Sequence, residues 1–143
     1  MKFGPIHIDH IGIATSNLEE GSVFWNLLGL EVAGSDETVA SQGVTTRFFN
    51  TSSLSANVKP AKIELLEPTG NETPVGRFLS KRGPGIQQLC FRVGNLQGLL
   101  EHLKENGICL INEEPTVGAG GKLIAFVHPA STGGVLVELT QSV

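Results

Sequence analysis

The chain has 143 residues, 40% hydrophobic and 17% charged, with ten Lys and Arg against fourteen Asp and Glu and a formal charge of −4. A chain of this length buries roughly two-thirds of the surface its unfolded form exposes, so one core closes without a disulfide or structural metal and disorder is excluded. The weakly acidic balance argues against a nucleic-acid or anionic-membrane partner, because clustered Lys and Arg hold such surfaces.

From Met1 to His10 the sequence carries Gly, Pro, two His and an Asp, without the apolar stretch of a secretory leader. Nowhere do about 18 apolar residues run together, so a cytoplasmic protein is expected. A strand opens at Ile8-Asp9-His10-Ile11-Gly12-Ile13-Ala14. Ser16 with Glu19 predicts a capping box ahead of a helical run through Leu18, Phe24, Trp25 and Leu28, and Gly29 stops it. Residues 30–33, 44–50 and 61–66 read as β-rich. Thr73-Pro74 before Val75, Phe78 and Leu79 predicts a short capped helix within a connecting segment at about 69–84. A second strand then runs from Ile86 to Arg92, and Asn95 precedes Leu96, Leu99, Leu100 and Leu103 at helical spacing, with a stop at Gly107. Residues 108–111, 122–128 and 135–140 close the chain as strands. Gly118-Ala119-Gly120-Gly121 is expected to be a hairpin turn, since a strand follows it where a dinucleotide fingerprint needs a helix.

These elements form a repeat. His10 and Gln88, Asn17 and Asn95, and Gly29 and Gly107 each lie 78 positions apart. A constant offset across strand, cap and stop predicts two copies of one βαβββ unit, at about 5–68 and about 85–141.

Side chains alternate across a strand, so each strand sorts into two faces. Ile11 and Ile13, like Leu89 and Phe91, are expected to pack on the helices, which turns His10 and Gln88 to the other side. Ile63 and Leu65, or Val137 and Leu139, likewise turn Glu64 and Glu138 away from the helices. Taken singly, a strand His is most often structural, a Gln solvated and a Glu exposed. Their matching positions in both halves favour a joint role. One imidazole, one amide oxygen and two carboxylates suit a divalent ion such as Mn, Co, Ni or Zn with positions open for substrate. Cys90 and Cys109 are expected to be buried reduced thiols, and Trp25 and the Phe residues to face the core. His7, His102 and His128 have no partner at ligand spacing. Arg77, Lys81, Arg82 and Lys122 are candidates for phosphate contact, or else a solvated helix face.

Quoted together, Ile8-Asp9-His10-Ile11-Gly12-Ile13-Ala14, Gln42-Gly43-Val44, Lys62-Ile63-Glu64-Leu65-Leu66-Glu67-Pro68, Gly118-Ala119-Gly120-Gly121-Lys122 and His128-Pro129-Ala130-Ser131-Thr132-Gly133-Gly134-Val135-Leu136-Val137-Glu138-Leu139 resemble the vicinal oxygen chelate superfamily, and within it the methylmalonyl-CoA epimerases. The resemblance spans nearly the whole chain. It implies an α+β fold, one domain over 1–143, in which two paired βαβββ modules form a curved mixed sheet with helices on the outer face. It also implies a metal-dependent epimerase of methylmalonyl-CoA or a similar 2-substituted acyl-CoA, and a homodimer. His10, Glu64 and Glu138 match metal-ligand positions of that family, and Glu138 also matches a residue of proton transfer.

Two departures stand out. Gly85-Ile86-Gln87-Gln88 replaces the family's Gly-Ile-His-His, so Gln88 offers an amide where an imidazole is usual. Thr45 and Thr46 stand where some epimerases carry a carboxylate. A Gln ligand is accepted in the superfamily, and some glyoxalase I enzymes use one Gln, one His and two Glu. The expected metal set is therefore His10, Glu64, Gln88 and Glu138, with Glu138 and Glu64 as the two carboxylates of proton transfer. A lactoylglutathione lyase of the glyoxalase I type and a binding protein that has lost the metal are the alternatives.

Overall fold

The computed structural model describes residues 2–52 and 59–142. Its elements run β1 (His7–Ala14), α1 (Leu18–Gly21), α2 (Val23–Leu28), β2 (Glu31–Val39), β3 (Val44–Asn50), β4 (Lys62–Pro68), α3 (Pro74–Arg82), β5 (Gly85–Arg92), α4 (Leu96–Glu105), β6 (Thr116–Val117), β7 (Leu123–Val127) and β8 (Val137–Gln141), with three single turns of 3-10 helix between.

The repeat shows first in the caps. Asn17 Oδ1 accepts from the Glu20 N–H at 2.9 Å and opens α1, and Asn95 Oδ1 accepts from the Gly98 N–H at 3.0 Å and opens α4. Each satisfies an N–H that a helix start leaves without a partner inside the helix. The expected Ser16–Glu19 box is thus corrected by one residue. The first helix is also two short ones, hinged at Ser22, whose hydroxyl donates to the Leu18 carbonyl. A residue in the left-handed region ends α2 at Gly29, with φ 100°, a place that favours glycine. Thr73 caps α3, with Pro74 in its first turn as predicted.

One compact unit is His10–Gln87; the residues up to Asp9 and those from Gln88 onward form the other. In the first, the strand order is β2-β3-β4-β1, with β1 and β4 parallel and the other pairs antiparallel. Its core is Leu18, Phe49 and Leu65, packed by Ile13, Trp25, Leu30 and Ile63. In the second, the order is β6-β7-β8-β5, with β5 and β8 parallel. Leu96 and Leu100 of α4 pack on Val93, Ala125, Val127 and Leu139. Both units have the same mixed topology, and the α+β fold class is that expected from the repeat.

Several local expectations are corrected. Residues 108–111 are not a strand: only Leu110 bridges to Val127, and β6 takes the edge position. The Cys109 N–H is instead satisfied by Ser131 Oγ and its carbonyl by the His128 N–H, so this backbone needs no ladder. Cys109 is exposed, whereas Cys90 is buried. Phe24 is 61% exposed, its ring in edge-to-face contact with that of Trp25 at 5.1 Å between centroids, while Trp25 packs against the core of Leu18, Phe49 and Leu65. The glycine-rich run is a hairpin, with Val117 opposite Leu123. Among the described residues no helix is long and apolar enough to cross a membrane.

Candidate functional site

Register decides what the alternation of side chains left open. In β1 and β4, Gly12 pairs with Glu64, so His10 sits two residues ahead of Glu64's partner and on the same face. In β5 and β8, Cys90 pairs with Glu138, so Gln88 stands in the same diagonal relation to Glu138. The outcome is the same in each unit. His10 Nε2 lies 3.1 Å from Glu64 Oε1, and Gln88 Nε2 donates to Glu138 Oε1 at 3.2 Å. All four residues are buried, at 6%, 3%, 7% and 7% exposure respectively. Burying carboxylates and imidazole on a sheet face is costly unless they are bound to something, so their shared burial marks each pair as a built feature. The structure brings His10 to Glu64 and Gln88 to Glu138.

An aromatic ring accompanies each closing carboxylate. Phe48 is opposite Glu64, and its edge-to-face contact with the His10 ring has centroids 5.4 Å apart. Phe126, 78 positions on, is opposite Glu138. Phe48 was expected in the core; it lies instead on the polar face, where it fixes the imidazole plane. The same offset that exposed the repeat was the signal available to find both rings.

The donor chemistry fits a divalent ion. An imidazole and a carboxylate meet within each other's reach in one module, and an amide and a carboxylate in the other; rotating the Gln88 amide by 180° offers its Oε1 in place of its Nε2.

The helix side of β3 carries a different polar cluster. Arg47 Nε and Nη2 donate to the two Asp36 carboxylate oxygens at 2.8 and 2.7 Å, Nη2 also to Glu19 Oε1 at 2.7 Å, and Nη1 to Ser22 Oγ at 2.9 Å. These bonds tie the bulged strand β2 to α1 across β3. The Arg47 guanidinium, by hydrogen bonding first, holds the Asp36 carboxyl below its ordinary value, and Asp36 and Glu19 in turn raise Arg47. In the other unit Arg92 Nη1 lies 2.8 Å from Asp9 Oδ1. Of the cations considered for phosphate, Arg77 donates to the Glu72 carbonyl at 3.0 and 2.9 Å, and Arg82 lies over the Phe78 ring.

Residues 9–126 match the family model of the Glyoxalase/Bleomycin resistance protein/Dioxygenase superfamily. The chain is 36% identical to the mitochondrial methylmalonyl-CoA epimerase of Bos taurus, a match covering 97% of this chain and 78% of that protein. It is also 36% identical to the ethylmalonyl-CoA/methylmalonyl-CoA epimerase of Cereibacter sphaeroides, over 94% of this chain and 96% of the other. A solved structure of methylmalonyl-CoA epimerase in complex with methylmalonyl-CoA and NH4+ superposes with a TM-score of 0.89 at 31% identity, covering 97% and 96% of the two chains.

Proposed function

This chain belongs to the glyoxalase/bleomycin resistance protein/dioxygenase superfamily, and from that membership we propose that it is a metal-dependent epimerase of methylmalonyl-CoA or a similar 2-substituted acyl-CoA. It is an epimerase-type isomerase. The observation that carries the finer reading is the repeated diagonal register, which sets one buried carboxylate beside a second donor in each module. His10, Glu64, Gln88 and Glu138 would together hold one divalent ion, the two modules acting as one domain. The identities of the relatives support the acyl-CoA substrate, and the cytoplasmic homodimer expected from the sequence belongs to the same reading.

Epimerisation beside a thioester removes a proton from C2 and returns one to the opposite face. When bound, a divalent ion supplies positive charge where negative charge develops as the proton leaves. Glu138 moves the proton on one face of C2 and Glu64 on the other; two carboxylates at repeat-equivalent places suit a reaction that runs in both directions. Phe48 keeps the His10 imidazole from turning. The donor set also permits the glyoxalase I-type lyase, which a panel of acyl thioesters and hemithioacetals separates from the epimerase.

The test is deuterium wash-in at C2 of methylmalonyl-CoA followed by NMR, with metal-loaded protein, metal-free protein and Glu138→Gln side by side. Glu138→Gln keeps size and one acceptor oxygen but loses basicity, so exchange should fall on the order of 10²- to 10⁴-fold. No exchange above background with the loaded wild type, across several divalent ions, removes the epimerase reading.

A further inference from the structure

The helices α2 and α4 expose the same positions of the repeat and fill them with opposite chemistry. From Val23 to Leu30 the order of exposed and half-buried residues recurs, position for position, from Glu101 to Ile108, 78 residues on. In each run the half-buried side chains, Trp25 and Leu30 or Leu103 and Ile108, pack on the module's own core. The outward positions of α4 carry Glu101, His102, Lys104, Glu105 and Asn106, as a solvated helix face does. Those of α2 carry Val23, Phe24, Asn26, Leu27 and Leu28. The fold presents this face in both modules, and only in the first is it apolar.

Exposed apolar residues scattered singly are ordinary, but these form one stripe. Val23 and Leu27 are four residues apart and neighbours on the helix surface, at 54% and 83% exposure, and so are Phe24 and Leu28, at 61% and 58%. Val32 of β2, 46% exposed, lies on the same side of the sheet, since its cross-strand partner Phe49 belongs to the core that Trp25 covers. The Phe24 ring is already held edge-to-face against Trp25, so it has little freedom left to lose on contact. At roughly 60–120 Å² of apolar area for a whole side chain, these exposures amount to roughly 200–350 Å² of apolar surface on each copy. A standard interface takes about 800 Å² from each partner and is most apolar at its buried centre, so the stripe has the size of such a centre with the polar residues around it as the rim.

A two-fold axis sets a face against itself, so any charge near the axis meets its like. The six residues of α2 carry no charge, whereas drying the same face of α4 would bury Glu101, Lys104 and Glu105. We propose that α2 is the centre of a two-fold contact between two copies of this chain, with Leu27, the most exposed residue of the stripe, against Leu27 of the partner subunit and Phe24, Leu28 and Val32 around it. The proposal deepens the homodimer of the proposed function by naming its surface, and it rests on that part of the reading and not on the epimerase chemistry.

The experiment is sedimentation velocity from roughly 1 to 100 µM on wild type, Leu27→Glu and Val117→Glu, each checked for fold by circular dichroism. Leu27→Glu installs the side chain that α4 carries at the equivalent Glu105, and it should raise the dimer Kd at least about 100-fold because two carboxylates meet at the axis. Val117→Glu, at another exposed apolar residue on the edge strand β6, should leave the Kd within about three-fold of wild type. In a Cys109→Ser background, Leu27→Cys should give a disulfide-linked dimer under mild oxidation that reductant reverses. A wild type that stays monomeric at the top of the range removes the homodimer itself, and is seen before any variant is compared. A wild-type dimer that Leu27→Glu leaves intact, or that Val117→Glu breaks as strongly, overturns the α2 contact while the homodimer stands. Absence of the cross-link from Leu27→Cys overturns it too, even if Leu27→Glu fails to fold.

Discussion

Replacing Arg47 by Met tests how the helix side of β3 holds the first module in register. Met keeps the aliphatic stem packed, since the Arg47 side chain is only 13% exposed, and removes all of its donors. The two bonds to Asp36 are charged and parallel, but that carboxylate is 36% exposed, which discounts the pair to about 1 kcal/mol. Glu19 is 83% exposed, and its contribution is about zero. Ser22, 1% exposed, loses the guanidinium but keeps the Leu18 carbonyl, a loss of about 0.5–1 kcal/mol. The total is about 2 kcal/mol, or about 1 M in the urea midpoint for a typical slope. The pH dependence follows from Asp36. Its folded pKa is lowered, so the stability it contributes is complete above the unfolded value near 3.9 and is lost as pH falls through the lower folded value. Arg47 is raised and stays charged throughout. Urea unfolding of both proteins at pH 7 and pH 3 should show the difference narrowing in acid. A difference under about 0.5 kcal/mol at pH 7, or one unchanged at pH 3, refutes the reasoning.

Gln88→His restores an imidazole donor and should tighten binding of Co²⁺ or Mn²⁺ by about ten-fold in calorimetric titration, with epimerisation rising or unchanged. Leu100→Ala, at a fully buried position against Ala125, Val127 and Leu139, should cost about 2–5 kcal/mol in urea unfolding, because α4 cannot collapse into the space that it leaves. Light scattering at tens of micromolar, a rough working range for a real interface, should report a dimer, and a monomer there counts against the homodimer.

Much of this was open to reading in one dimension because the repeat writes the same local physics twice. The 78-residue offset aligned Asn17 with Asn95 and Gly29 with Gly107, although the capping box read at Ser16 lay one residue before the true cap, and period-two alternation put His10 with Glu64 and Gln88 with Glu138 on a common face of each strand pair. These are short-range rules, set by backbone geometry within a few residues, and a sequence carries them without knowing its partners. The same rules misplaced Phe24 and Phe48, for an apolar residue at strand or helix spacing does not say which of two faces is the dry one.

Register, by contrast, is a property of two strands. The parallel pairing that puts Gly12 opposite Glu64 brings His10 to 3.1 Å from that carboxylate, and one residue of slip would carry Glu64 to the helix side. The irregularity between Ala33 and Glu37 sets Glu37 beside Thr46, although nothing near either residue in the chain relates them. Arg47 collects Glu19, Ser22 and Asp36 from three separate segments, and the backbone partners of Cys109 come from 128 and 131. Local propensity and alternation were therefore sufficient for most of the elements and for the faces of His10, Glu64, Gln88 and Glu138. Only the tertiary pairing decided which side chains meet, because contacts between distant segments are fixed by the packing of the whole unit and not by any stretch within it.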